Sequence, residues 1–291
     1  MKKVFDSKTL TLNFPDSYLK NLSHIKIGSK SNYLFMPQSV SDLLKVVRFA
    51  DKNKLPVCML GGGSNLLFGN TENVVLVSEK NLPQSLNVEH DVVSVSANFN
   101  INLLMMKLAD HDLGGFEFLS GIPAHIGGLT VMNAGSYGKS FGDSVIKIEF
   151  VDKEGILRTE DDLKFSYRNS SVKGFITKVW LKATAKEKSK IHREMRDVIA
   201  DRKKKQPLSY PNLGCIFKNP PNDSAGRLID NCGLKGLRFG GAEISKKHAN
   251  FIINRNDAKF EDVINLIESA KKAVWDKFKI SLETEIRIIG L

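Results

Sequence analysis

Residues 121–138 read Gly121-Ile122-Pro123-Ala124-His125-Ile126-Gly127-Gly128-Leu129-Thr130-Val131-Met132-Asn133-Ala134-Gly135-Ser136-Tyr137-Gly138. The run is too long and too rich in glycine for an ordinary turn, and its missing Cβ atoms suit backbone laid against a flat ligand. A second glycine cluster, Gly61-Gly62-Gly63-Ser64-Asn65, directly follows the apolar run Leu55-Pro56-Val57-Cys58-Met59-Leu60. Unobstructed backbone N–H groups converge there, a device for cradling phosphate oxygens. No Gly-Lys-Ser/Thr follows and the spacing is not G-x-G-x-x-G, which excludes a Walker loop and a dinucleotide fingerprint. Alone, the cluster reads equally well as a tight turn. Two such loops converging on one elongated, phosphate-bearing cofactor account for both.

Around these loops the apolar pattern alternates between periods. Val40, Leu43, Leu44, Val47 and Phe49-Ala50 recur at helical spacing over 39–54, behind Ser39, and strands are expected at 55–60 and 74–78. The first seventy-odd residues form a small α/β unit. Strand 91–97, helix 101–109, a hairpin turning at Asp152-Lys153-Glu154-Gly155 and strand 175–181 make a mixed α+β unit. A charged helix over 188–205 stops before Pro207 and leads into a third unit. There, a helix over 224–232, strand 250–254, a long helix over 260–278 and strand 285–289 are expected.

The chain has 291 residues, 42% of them hydrophobic, enough for real cores. Its net charge of +11 suits an anionic partner. Nucleic acid is disfavoured, because Lys203-Lys204-Lys205 shares its helix with Glu194, Asp197 and Asp201 and no basic-aromatic alternation appears. The basic start Met1–Lys8 lacks an apolar continuation and no long uncharged run occurs, so a cytoplasmic protein without membrane spans is expected. Three cysteines, Cys58, Cys215 and Cys232, show no paired spacing, which argues against a disulfide framework and against a zinc site.

Cys215 lies in Leu208-Ser209-Tyr210-Pro211-Asn212-Leu213-Gly214-Cys215-Ile216-Phe217-Lys218-Asn219-Pro220, where turn formers, a cation and an amide surround the thiol. A free cysteine is ordinarily a small buried hydrophobe; here its surroundings suggest chemistry.

Taken with the two glycine loops, the motifs Tyr167-Arg168-Asn169-Ser170-Ser171, Gln206-Pro207-Leu208, Ala225-Gly226-Arg227-Leu228-Ile229-Asp230, Gly233-Leu234-Lys235-Gly236, Ser245-Lys246-Lys247-His248-Ala249-Asn250-Phe251 and Leu282-Glu283-Thr284-Glu285-Ile286-Arg287-Ile288-Ile289-Gly290 occur in an order that resembles the UDP-N-acetylenolpyruvoylglucosamine reductases. The resemblance covers nearly the whole chain. It implies an α+β protein: a two-part FAD-binding region of the vanillyl-alcohol-oxidase-like type over 1–80 and 81–190, then an α+β substrate-binding domain over 191–291. It also implies non-covalent FAD, NADPH as hydride donor and a nucleotide-sugar substrate of peptidoglycan precursor synthesis; no metal and a monomer are expected.

By the same resemblance, Gly61, Gly62, Gly63, Ser64 and Asn65 hold the FAD pyrophosphate, while Gly121, Pro123, Gly127, Gly128, Asn133, Ala134 and Gly135 line the rest of the cofactor. Arg168 braces the substrate carboxylate with its planar fork. Glu285 assists at the enolate-like intermediate, a role that needs its protonated form. Glu283, two residues away on the same side of a strand, is the mimic to exclude. Lys218 and Asn219 match positions near the substrate diphosphate; Tyr210, Lys205 and Arg202 are further substrate-binding candidates.

The sequence departs from the family pattern in three places. Cys215 stands where a serine ordinarily donates the proton to C2, Ile27-Gly28-Ser29-Lys30 lacks a Gly-Gly, and Ala124-His125 replaces a pair of small residues. A thiol with an ordinary pKa of about 8.5 is mostly protonated at neutral pH, so Cys215 can serve as general acid. His125 is read neither as a base nor as a flavin attachment point. The alternatives are a flavin oxidoreductase of this fold with another acceptor, and a catalytically impaired flavin- or nucleotide-binding paralogue.

Overall fold

The computed structural model describes residues 10–11 and 16–290. The basic stretch Met1–Lys8 lies outside them. The described residues divide into two compact units, one holding 33–62 and 74–201 with the strand Leu10–Thr11, the other holding 16–32, 63–73 and 202–290.

In the first unit, Ser39 caps the helix Val40–Lys52 by accepting the Asp42 N–H at 3.1 Å. Leu43, Val46, Val47 and Ala50 recur every three or four residues and are buried. Each such Val or Leu contributes about 1.5–3 kcal/mol by leaving water. This helix covers a sheet in which Val75–Ser78 lies between Tyr33–Phe35 and Val57–Leu60, parallel to both. A second core sits on a five-stranded antiparallel sheet, ordered Leu157–Glu160, Val145–Asp152, Gly174–Lys182, Val92–Ser96, Leu86–Glu89. The helix Ile101–Ala109 buries Ile101, Leu104, Met105 and Leu108 in that core.

The second unit is built on the helix Phe260–Phe278, whose Val263, Leu266, Ile267, Ala270 and Val274 pack over the antiparallel strands Arg238–Phe239, Ala242–Ile244 and Ile252–Asn254. The division differs from consecutive segments bounded at 80 and 190. Residues 63–73 join the C-terminal unit because Leu66–Phe68 pairs in parallel with Arg287–Ile289, and residues 16–32 are tied to it where Asn254 Nδ2 donates to the Ile25 carbonyl at 2.9 Å. The strands at 33–35, 66–68, 86–89 and 242–244 were not expected from the sequence. No helix among the described residues is long and apolar enough to cross a membrane.

Candidate active site

The long glycine-rich run contains the short helix Ile126–Val131 and is tied to the first unit's core by backbone bonds. Gly127 N–H donates to the Ala97 carbonyl at 2.8 Å and Ile126 N–H to Phe99 at 3.0 Å. Gly62 meets this run closely: a Cβ there would lie 2.9 Å from the Pro123 carbonyl oxygen, so only glycine allows the approach. Beneath Gly61 and Gly62, His125 Nδ1 lies 2.6 Å from Oε1 of the buried Glu79.

Arg168 sits at the tip of the hairpin Phe165–Ser166/Asn169–Ser170 with φ +56°, a left-handed conformation that costs a non-glycine residue about 1–2 kcal/mol. Three contacts hold the hairpin to the glycine-rich run. Arg168 Nη2 donates to the Gly135 carbonyl at 2.9 Å, Ser170 Oγ to Val131 at 2.9 Å and Asn133 Nδ2 to Ser166 at 2.8 Å. Asn133 Oδ1 accepts the Gly142 N–H at 2.9 Å. The Asn133 side chain is thus occupied in positioning the Arg168 hairpin.

The Gly61–Asn65 cluster crosses from one unit to the other after Gly62. In the second unit, Gly63 has φ +71° and a Cβ on it would fall 2.0 Å from the Leu22 carbonyl oxygen. Asn65 Nδ2 donates to the Glu285 carbonyl at 3.2 Å and its own carbonyl accepts the Arg287 N–H at 2.9 Å. A residue expected to serve the cofactor therefore anchors the Glu285 segment.

Glu285 N–H donates to the Ile216 carbonyl at 2.7 Å, and Lys218 N–H to Glu283 at 2.9 Å, so the segments following Cys215 and flanking Glu285 run side by side, antiparallel. On the other edge, Asn250 fastens the same segment. Its carbonyl accepts Ile216 N–H at 2.9 Å, its Oδ1 accepts Phe217 N–H at 2.9 Å, and its Nδ2 donates to the Phe217 carbonyl at 2.8 Å. Cys215 and Glu285 are both half-buried, whereas Glu283 is exposed and paired with Lys218 Nζ at 2.5 Å. The two acids of Leu282-Glu283-Thr284-Glu285 thus have different environments despite their i, i+2 spacing.

The other substrate-binding candidates have different surroundings. Asn219 Oδ1 accepts the Ala225 N–H at 3.1 Å at the start of the helix Ala225–Asn231. Tyr210 carries the Arg255 guanidinium 5.0 Å above its ring, and that arginine also reaches the buried Glu243. Lys205 is exposed and Arg202 buried. Next to Asn250, His248 accepts the Asn250 N–H at Nδ1 over 3.2 Å and its ring packs tilted against Phe251, centroids 4.8 Å apart; burial, then the Lys235 charge, holds its pKa below the ordinary 6.5. Glu79 and Asn250 escaped the residue-level reading. The signal available for Asn250 was an amide directly before the apolar run Phe251-Ile252-Ile253, and for Glu79 an acid closing the run Val74–Val77.

Comparison with known proteins follows this division of labour. A FAD binding domain model matches residues 31–160, and the C-terminal domain model of UDP-N-acetylenolpyruvoylglucosamine reductase matches 206–289. The chain is 36% identical over 295 residues to the UDP-N-acetylenolpyruvoylglucosamine reductase of Caldanaerobacter subterraneus subsp. tengcongensis, covering 100% of this chain and 97% of that one. It belongs to the UDP-N-acetylenolpyruvoylglucosamine reductase family. Another similar member, from Oceanobacillus iheyensis, is 38% identical over 285 residues, covering 94% and 91% of the two chains. Among solved structures, the UDP-N-acetylenolpyruvylglucosamine reductase (MurB) of Thermus caldophilus superposes with a TM-score of 0.82 at 32% identity, over 97% of this chain and 100% of that one.

As a family member the chain is an oxidoreductase with FAD as its cofactor. The first unit fits that group. Gly62 approaches Pro123 as only glycine can, and a Cβ added at Gly128 would meet nothing within 4 Å, which leaves that backbone open to a flat ligand. Both glycine loops lie inside the FAD-matched range, while Tyr210, Cys215, Lys218, Asn219 and Glu285 lie inside the C-terminal one. Arg168, Arg202 and Lys205 lie in neither.

Proposed function

We propose that this protein reduces UDP-N-acetylglucosamine enolpyruvate to UDP-N-acetylmuramate at the expense of NADPH, as a cytoplasmic step of peptidoglycan precursor synthesis. The chemistry that bound FAD supplies is hydride transfer, from NADPH to C3 of the enolpyruvyl group. Gly61–Asn65 and the loop residues Gly121, Pro123, Gly127, Gly128, Asn133, Ala134 and Gly135 hold the cofactor. The chain's own groups handle the charge and the proton. Arg168 braces the carboxylate beside the reacting carbons, where negative charge builds up as hydride arrives. Cys215 delivers the proton to C2, and Glu285 assists at the enolate. Lys218 and Asn219 serve the diphosphate, with Tyr210, Lys205 and Arg202 as further substrate contacts.

One observation carries this reading above all. The residues after Cys215 are fixed on one edge by Asn250 and on the other by the backbone of 283–285, so a thiol and a carboxyl are delivered on adjoining segments. Replacing Cys215 with alanine should leave NADPH-dependent flavin reduction near the wild-type rate while slowing flavin reoxidation by the enolpyruvyl substrate by about 10²–10⁴-fold, the usual contribution of a positioned general acid. Stopped-flow absorbance of each half-reaction reads both rates. Equal loss in the two would sink the assignment of Cys215, and a protein that cannot be loaded with FAD would sink the function.

A further inference from the structure

Glu79 and His125 form a pair that the proposed chemistry does not use. The Glu79 side chain is 4% exposed, and a carboxylate at that depth needs a partner. His125 provides it, with Nδ1 at 2.6 Å from Oε1. Because an ionised Glu79 only accepts, Nδ1 carries the proton and the imidazole's second nitrogen, Nε2, is left over. The His125 side chain is 26% exposed, so the ring is not sealed from solvent.

The location of the pair matters as much as its chemistry. The Glu79 carboxylate rests against Gly61, where an added Cβ would come within 3.2 Å of Oε1. The His125 ring rests against Gly62, with Cδ2, the carbon bonded to Nε2, 3.6 Å from where a Cβ on that glycine would sit. The ring carbon next to the left-over nitrogen therefore borders the backbone that the glycine pattern assigns to phosphate oxygens.

We propose that His125 contacts the cofactor, its Nε2 donating to a diphosphate oxygen of FAD, and that Glu79 orients the ring and balances its charge. Serving both partners at once uses the imidazolium, the form in which both ring nitrogens carry a proton. The role is distinct from acid–base catalysis and from covalent attachment of flavin. It rests on FAD being the ligand of these loops.

The test compares wild type, His125→Ala and Glu79→Gln as full-length proteins. Flavin fluorescence titration gives the FAD dissociation constant, and ³¹P NMR of bound FAD reads the diphosphate. His125→Ala should raise the dissociation constant about ten- to hundredfold, the loss of one charge-assisted hydrogen bond. Glu79→Gln keeps an acceptor for Nδ1–H and the side-chain volume but loses the charge, so a smaller rise is expected. In both variants the diphosphate resonances should move while the visible flavin band stays in place. A dissociation constant for His125→Ala within twofold of wild type, or a displaced visible band with unmoved ³¹P resonances, overturns the proposal. Failure of the wild-type protein itself to bind FAD overturns the cofactor reading beneath it and is thereby told apart.

Discussion

Arg168 shows how much a single residue is asked to do. Its backbone is held in a left-handed conformation, and its guanidinium already gives one N–H to the Gly135 carbonyl. An arginine has its donors in one fixed plane, so that bond orients the whole group. Lysine would keep the positive charge but not the fork. Arg168→Lys is expected to slow flavin reoxidation by substrate at least tenfold while sparing reduction by NADPH, as measured by single-turnover absorbance; an unchanged reoxidation rate would remove Arg168 from the proposed chemistry. The chemical identity of Arg168, Cys215 and Glu285 was legible in the sequence because their motifs stand out in order. What Asn65 and Asn133 do was not. Both are expected at the cofactor, and the structure shows Asn65 Nδ2 on the Glu285 carbonyl and the Asn133 amide on Ser166 and Gly142.

At the scale of elements, the segment 216–218 depends on Asn250 more than on any strand of regular length. Phe217 is buried, and both of its backbone polar groups are met by the Asn250 amide at 2.8 and 2.9 Å. Asn250→Ala strands a buried N–H and a buried C=O, each costing about 1–3 kcal/mol, so a loss of roughly 2–6 kcal/mol of stability is expected in denaturant unfolding. Reoxidation by substrate should slow as the Cys215 segment loosens. A variant as stable as wild type would show that another group holds Phe217. The long elements were readable in advance, since the helices Val40–Lys52 and Phe260–Phe278 repeat apolar residues over several turns. The three-residue strands Leu66–Phe68 and Ala242–Ile244 were not, because three residues do not establish a period, and the partner of Leu66–Phe68, Arg287–Ile289, lies far away in sequence.

For the molecule as a whole, the clearest pH dependence comes from His248. Burial pushes its pKa down in the folded protein, with the Lys235 charge adding to the effect. The sign follows from linkage: the unfolded chain takes up the proton near the ordinary value of 6.5 before the folded one does, so no penalty exists well above 6.5, and stability falls as pH drops below it. His248→Gln should flatten the decline in thermal midpoint between about pH 7 and pH 5 relative to wild type; parallel curves would assign the decline to other groups. The sequence by itself determined the long helices, which chemical groups are present, and the family, since periodicity and ordered motifs are local properties of the chain. Only the tertiary structure decided which polar groups are already committed. The pairing of Glu79 with His125, of Asn65 with Glu285 and of Asn250 with Phe217 joins residues brought together by sheet and core packing, and the need of buried polar atoms for partners then fixes what each side chain is left free to do.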